Sequence, residues 1–278
     1  MNILVGMISM NKIKAFINRV YDALYRRFHH FIYFLKRKNI MNSYDSNIFY
    51  LNIGAGKFCR TNWRVLEYAG EETSYGYETS LIDLNLNLFN DPKFPINDNS
   101  VNLIYSSHTF EHLNDKNVQH ILNESFRILK KGAGIRVTMP DIDLAYNAYL
   151  KSDINFFNTL NNQLPGCDSL ISKFFDYFSQ IDVSKYNTEI LHNDFTSLSK
   201  ENFLNKYTLD INDSIIRTNF GAHMNWFNED KLRKMFAKAG FSNTKKMKYK
   251  ESQFAEMTNK EFDNTHPMMS IYCEAIKN

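Results

Sequence analysis

Apolar residues along this chain follow two different periods. From residue 12 to residue 35 they recur every 3.6 positions, as Ile13, Phe16, Ile17, Val20, Leu24, Phe28, Phe31 and Leu35. That spacing predicts one long amphipathic helix. A polar linker, MNSYDSN at 41–47, leads into short apolar runs separated by turns. These predict strands at 48–53, 63–68, 80–84, 101–106 and 134–139, with a helix at 116–130. Asn114 or Asp115 is placed to cap that helix, and Gly132 and Gly134 fit its stop. The rhythm breaks over 151–222, an aromatic and polar stretch that reads as a helical insertion over the carboxyl edge of the sheet, able to act as a lid. It resumes with a helix capped by Asn228 and ended by Gly240, then two strands near 243–249 and 268–276 that predict an antiparallel edge hairpin.

This alternation predicts an α/β fold, a Rossmann-like, mostly parallel sheet with helices on both faces. The segments are an N-terminal helix and linker (1–47), a core (48–150), the insertion (151–222) and the rest of the core sheet (223–278).

Composition narrows the classes. An apolar share of 44% over 278 residues supports a sizeable core. Cys59, Cys167 and Cys273 are an odd, scattered set without finger spacing, which suits a reducing, cytoplasmic setting and argues against structural zinc. Residues 11–40 carry +7 and the rest of the chain about −4, a balance that disfavours nucleic-acid binding by the whole domain. Charges interrupt the first helix too often for a membrane span, and the opening MNILVGMISM lacks the pattern of a signal peptide. The helix therefore either packs on its own fold or on a second subunit, or lies on an anionic membrane surface at the inner face. Packing is the commoner fate of such a stripe.

Chemistry concentrates at two strand ends. IFYLNIGAG empties a strand into the turn Gly54-Ala55-Gly56, and VNLIYSS empties another into His108-Thr-Phe-Glu-His112. In open α/β sheets such loops build the ligand pocket. A pyrophosphate fingerprint fails here: Cys59 stands for the third glycine, and six residues before Trp63 leave no room for the usual helix. The pieces LNIGAG, NWRVLE, FPINDNSVNLIYSSHTFEHL, ILNESFRILKKGAGIRVTMPD and HMNWFNEDKLRKMFAKAGF, in this order, resemble the class I S-adenosylmethionine-dependent methyltransferases of the type 11 subgroup. The resemblance implies S-adenosylmethionine as cofactor, held by Asn52, Gly54, Ala55, Gly56, Glu67, Asp83, Leu84 and Ser106. Glu67 would bind the ribose diol and Asp83, or its rival Asp91, the adenine amino group. It further implies a small-molecule acceptor, a hydroxyl on a sugar or surface-polysaccharide precursor. Two departures stand out: Lys131-Gly132-Ala133-Gly134 in place of Pro-Gly-Gly, and Glu rather than Asp at position 67.

His108, after the strand that faces the sulfonium, is the candidate general base, with Glu111 to orient it. Asp141, His223 and Asn225 border the expected pocket as candidate substrate contacts, while Arg60, Arg64 and Arg217 are more ordinary surface arginines. HTFEH also spells H-x-x-E-H, a metal motif that gathers two histidines when it lies on a helix. Here it follows a strand directly, so no metal ligand is assigned, although His192 or His223 are nominees for a third ligand. A metal-dependent hydrolase using His108, Glu111 and His112 stays open as an alternative, as does a non-catalytic cofactor-binding scaffold docking through residues 12–35.

Overall fold

A computed structural model describes residues 2–70, 79–90, 92–159, 169–180, 187–208, 221–259 and 261–278. Cys167 and Arg217 lie outside them. Seven strands form one sheet: β1 (Tyr50–Ile53), β2 (Trp63–Glu67), β3 (Leu84–Asn85), β4 (Val101–Ser107), β5 (Leu129–Pro140), β6 (Ser242–Met247) and β7 (Ser270–Ile276). Their order is β3-β2-β1-β4-β5-β7-β6, parallel from β3 through β5. β7 runs antiparallel between β5 and β6, which is the expected hairpin on the sheet edge.

The helices are α1 (Asn2–Met41), α2 (Asp115–Ile128), α3 (Ile142–Leu150), α4 (Ile154–Asn158), α5 (Leu170–Phe178), α6 (Thr188–Ser197), α7 (Lys200–Lys206) and α8 (Glu229–Ala239). Burial of apolar side chains sorts them. α2 and α8 turn Val118, Ile121, Leu122, Leu232 and Phe236 onto Leu51, Ile53, Ile104 and Val137, covering one face of the sheet. On the other face Trp63, Leu103 and Tyr105 meet Met257 and Phe262, from the segment between β6 and β7. Buried Arg136 ties that segment down through Asp263 (2.6 Å) and also pairs with Glu274 on β7 (2.6 Å). α3 to α7 build a separate aromatic cluster around Phe157, Phe174, Phe178 and Phe203, joined to the core by Trp226 and Met269.

Cap chemistry explains the helix boundaries. Asn114 accepts from Asn117 N at the start of α2, and Asn228 accepts from Lys231 N at the start of α8. Gly240 closes α8 at φ +99°. Gly132 and Gly134, expected to stop α2, instead lie inside β5, because Leu129 already has extended backbone. Gly134 is there for clearance: a Cβ would sit 2.6 Å from the Ala275 carbonyl. The third strand, expected at 80–84, is a pair of residues starting at Leu84, preceded by a 3₁₀ turn at Thr79–Leu81.

α1 is longer than its stripe predicted and docks only by its last turns, where Ile40 and Arg37 are buried. The stripe residues Ile13, Phe16, Ile17, Val20, Leu24, Phe28, Phe31 and Leu35 stand 41–67% exposed. Among the described residues this stripe is left uncovered. No helix among the described residues is long and apolar enough to cross a membrane.

Candidate active site

The glycine turn exists because β1 must reverse next to two neighbours at once. Gly54 and Gly56 take φ of +66° and +55°, a region that costs other residues about 1 kcal/mol or more. Gly54 also has no room for a side chain, since a Cβ would lie 2.1 Å from the Thr109 hydroxyl. Glu67, ending β2, closes this turn: one carboxylate oxygen accepts from Gly56 N (2.8 Å) and the other from Tyr68 N (2.9 Å). Burial pushes the Glu67 carboxyl above the usual carboxylate range, against the pull of those two amides.

A cleft of about 340 Å³ opens over the turn, within the range of small-molecule sites. Gly54, Ala55, Gly56, Glu67 and His108 line it, as the sequence suggested. Its far wall is Leu86-Asn87-Leu88-Phe89, and Ser107, Thr109, His112, Leu113, Gly221 and Thr265 complete it. The Leu86–Phe89 wall, directly after β3, is a part of the cleft that the sequence reading did not assign.

Seven of the residues assigned to the cofactor or substrate, Asn52, Asp83, Leu84, Ser106, Asp141, His223 and Asn225, do not line the cleft. Asp83 precedes β3 rather than ending it, and its carboxylate is engaged by buried Arg37 of α1, by Tyr44 Oη (3.1 Å) and by Val65 N (2.6 Å). It anchors the N-terminal helix and does not line the cleft. Leu84 packs against the core. Ser106 is buried and donates to the Ile53 carbonyl at 3.0 Å, tying β4 to β1, while its neighbour Ser107 reaches the cleft. Asp141 caps α3 and pairs with Lys246 at 3.0 Å. Asn225 donates to the Leu113 carbonyl (2.9 Å) and Asp115 (2.8 Å), a brace between loop and helix. Asn52 is buried beneath the turn and is not part of the cleft wall. Asp91 lies outside the described residues. Arg60 pairs with Glu256 (2.9 Å) and Glu261 (2.5 Å), and Arg64 covers the Tyr44 and Phe49 rings, so neither points at the cleft.

His108 sits in left-handed backbone, φ +51°, at the tip of β4. That turn points its ring into the cleft between two partners: Nδ1 lies 2.9 Å from Glu111 Oε1, and Nε2 lies 2.9 Å from Ser270 Oγ. Ser270 is a contact that no local pattern announces, since it comes from β7. Glu111 is 1% exposed, and neither of its oxygens receives a well-directed hydrogen bond among the described residues. Burial acts to raise its carboxyl pKa, but the adjacent His108 ring, followed by His112 and His223, outweighs it and holds it down at about 2. The motif itself is a 3₁₀ turn, Phe110–His112, rather than an α-helix. Even so, His223 comes up beside His112, with ring centroids 5.1 Å apart.

A glycine turn at the head of β1, a carboxylate at the end of β2 and a cleft over parallel strands define a Rossmann-like enzyme that binds a nucleoside cofactor without a phosphate cradle. A family model described as "Methyltransferase domain" matches residues 45–246. The chain belongs to that family, the class I S-adenosylmethionine-dependent methyltransferases. The fold is also similar to several solved structures. A Thermotoga maritima protein described as a possible histamine N-methyltransferase is 16% identical, with TM-score 0.40 over 91% of this chain and 95% of that one. A methyltransferase from Archaeoglobus fulgidus is 11% identical, with TM-score 0.41 over 89% and 94%. Phosphoethanolamine N-methyltransferase 2 of Haemonchus contortus, solved with S-adenosyl-L-methionine, is 9% identical, with TM-score 0.39 over 87% and 52%. Such likenesses assign no residue. No curated protein matches the chain significantly.

The cleft fits S-adenosylmethionine. Gly54 and Gly56 keep its floor free of side chains, and Glu67 offers two carboxylate oxygens whose remaining lone pairs can accept from a diol.

Proposed function

We propose that this enzyme methylates a hydroxyl group of a small molecule, a sugar or another precursor of a surface polysaccharide, in the cytoplasm. The observation that carries this reading is His108, turned into the cleft by strained backbone and held on both ring nitrogens. Around it the cleft is lined by Ser107, Thr109 and Thr265, neutral groups that suit a hydroxylated acceptor better than a charged one.

The bound sulfonium supplies an electrophilic methyl group for in-line transfer. Gly54, Ala55 and Gly56 would hold the cofactor at the floor of the cleft, and Glu67 would accept charge-assisted hydrogen bonds from its ribose hydroxyls. An acceptor hydroxyl arriving at His108 Nε2 takes the place of Ser270, whose hydroxyl keeps the His266 carbonyl at 2.8 Å. His108 then receives the acceptor proton while Glu111 stabilises the charge on the ring. The test is His108→Ala: affinity for S-adenosylhomocysteine stays within about twofold while turnover falls by about 10²–10⁴. Retained turnover, or transfer to amines but not to hydroxyls, would remove this assignment.

The exposed stripe of α1, from Phe16 to Leu35, together with its basic flank, supports peripheral contact with an anionic membrane. The full chain should float with phosphatidylglycerol vesicles and not with phosphatidylcholine, and less so at high salt. Concentration-dependent dimers that ignore both vesicles would instead mark the stripe as a subunit interface.

A further inference from the structure

We propose that Glu111, His112 and His223 form a binding site for a divalent first-row transition metal ion, at the edge of the cofactor cleft, where the ion engages the acceptor oxygen. One carboxylate oxygen and one nitrogen of each ring lie within 4.8 Å of one another. Two imidazoles and one carboxylate are a frequent donor set for zinc, iron, cobalt and manganese.

The orientation of each ring favours this use. His112 Nδ1 lies 3.1 Å from the Ala222 carbonyl, and His223 Nδ1 lies 2.9 Å from the Tyr177 carbonyl. A carbonyl only accepts, so both Nδ1 atoms carry hydrogen and each neutral ring presents its lone pair at Nε2. Backbone carbonyls orient metal-binding histidines in this way. Glu111 is buried, and apart from His108 Nδ1, 2.9 Å from Oε1, no donor among the described residues serves its carboxylate, so a cation would find an acceptor there.

The loop bearing His223 is fastened rather than loosely adjacent. Met224 N donates to the Glu111 carbonyl (2.8 Å), Gln180 N donates to the His223 carbonyl (2.7 Å), and His223 N donates to Gln180 Oε1 (3.0 Å). Of the three ligands only His112 lines the cleft. Three protein ligands leave coordination positions for an outside oxygen.

The role in catalysis rests on the function proposed above; the site itself does not. The ion lowers the pKa of the acceptor hydroxyl. The oxygen–methyl bond forms as the methyl–sulfur bond breaks, sulfur keeps the electron pair and leaves as a neutral thioether, and the hydroxyl proton passes to His108.

The full chain, stripped with chelator, is titrated with Co²⁺ while its d–d absorption is followed, and with Zn²⁺ by calorimetry. One equivalent is expected. His223→Ala and Glu111→Gln should each weaken it by about tenfold to a hundredfold or more. Glu111→Gln keeps side-chain shape, so folding is retained even where His223→Ala is unstable. Affinity for S-adenosylhomocysteine, measured on the same samples, should be unchanged within about twofold. No binding, or binding that both variants leave intact as adventitious uptake elsewhere, overturns the site. Loss of S-adenosylhomocysteine binding by the unaltered chain would instead overturn the reading of the cleft, whatever the metal does.

Discussion

Replacing Asp83 by Ala separates two accounts of that residue. In the structure its carboxylate neutralises Arg37, a fully buried guanidinium, and also accepts from Tyr44 and Val65 N. Removing one partner of a buried ion pair costs about 3–5 kcal/mol, because the other charge stays desolvated. The lower end applies here: Arg37 keeps the Leu81 carbonyl (3.0 Å) and the Trp63 carbonyl (3.3 Å), and Asp83 is 11% exposed. About 3 kcal/mol corresponds to a fall in Tm of about 6–12 °C for a domain of this size. Arg37→Met in the same chain removes the stranded charge and should restore at least about 1 kcal/mol, a sign of coupling that two independent sites would not give. Thermal unfolding followed by circular dichroism reads the stability, and calorimetry with S-adenosylhomocysteine, well below Tm, reads the cofactor. Affinity should move by less than about twofold. A cofactor affinity reduced tenfold at unchanged Tm would refute this reasoning and return Asp83 to the adenine.

Three further outcomes follow from the cleft and its supports. Glu67→Gln should weaken S-adenosylhomocysteine binding by about 10- to 100-fold, the loss of a charged acceptor worth roughly 1.5–3 kcal/mol. Because burial raises the Glu67 pKa, binding to the unaltered protein should decline as pH falls through a value above the usual carboxylate range, and the Gln variant should lose that inflection; an identical pH profile in both would exclude Glu67 from the diol. Gly54→Ala forces a Cβ to within 2.1 Å of Thr109 Oγ1 in left-handed backbone, so stability should drop by roughly 2–4 kcal/mol, and a variant of normal Tm would show that the turn relaxes freely. Glu124 is pulled below the usual carboxylate pKa by Arg127 and Phe94 N, which outweigh its burial, so its contribution to stability is present above about pH 4.3 and is lost as pH falls through the depressed value; Glu124→Gln should flatten the acid limb of urea midpoints, and an unchanged limb would count against it.

Local pattern carried much of this protein. The 3.6-residue stripe announced α1, the caps Asn114 and Asn228 placed α2 and α8, and apolar runs ending in glycine or histidine marked the two strand tips that form the cleft. Gly54, Gly56, Glu67 and His108 were legible because turn conformation, strand-end position and side-chain chemistry are encoded within a few residues of each. What tertiary structure decided lies in partnerships across long stretches of chain. Asp83 belongs to Arg37, 46 positions earlier, and His108 belongs to Ser270, 162 positions later. His223 meets His112 only because the loop before α8 is hydrogen-bonded onto the turn after β4. Periodicity reports which face of an element is buried, but not which distant element buries it; that depends on the path of the chain, and a carboxylate or imidazole takes its chemistry from whichever group that path delivers.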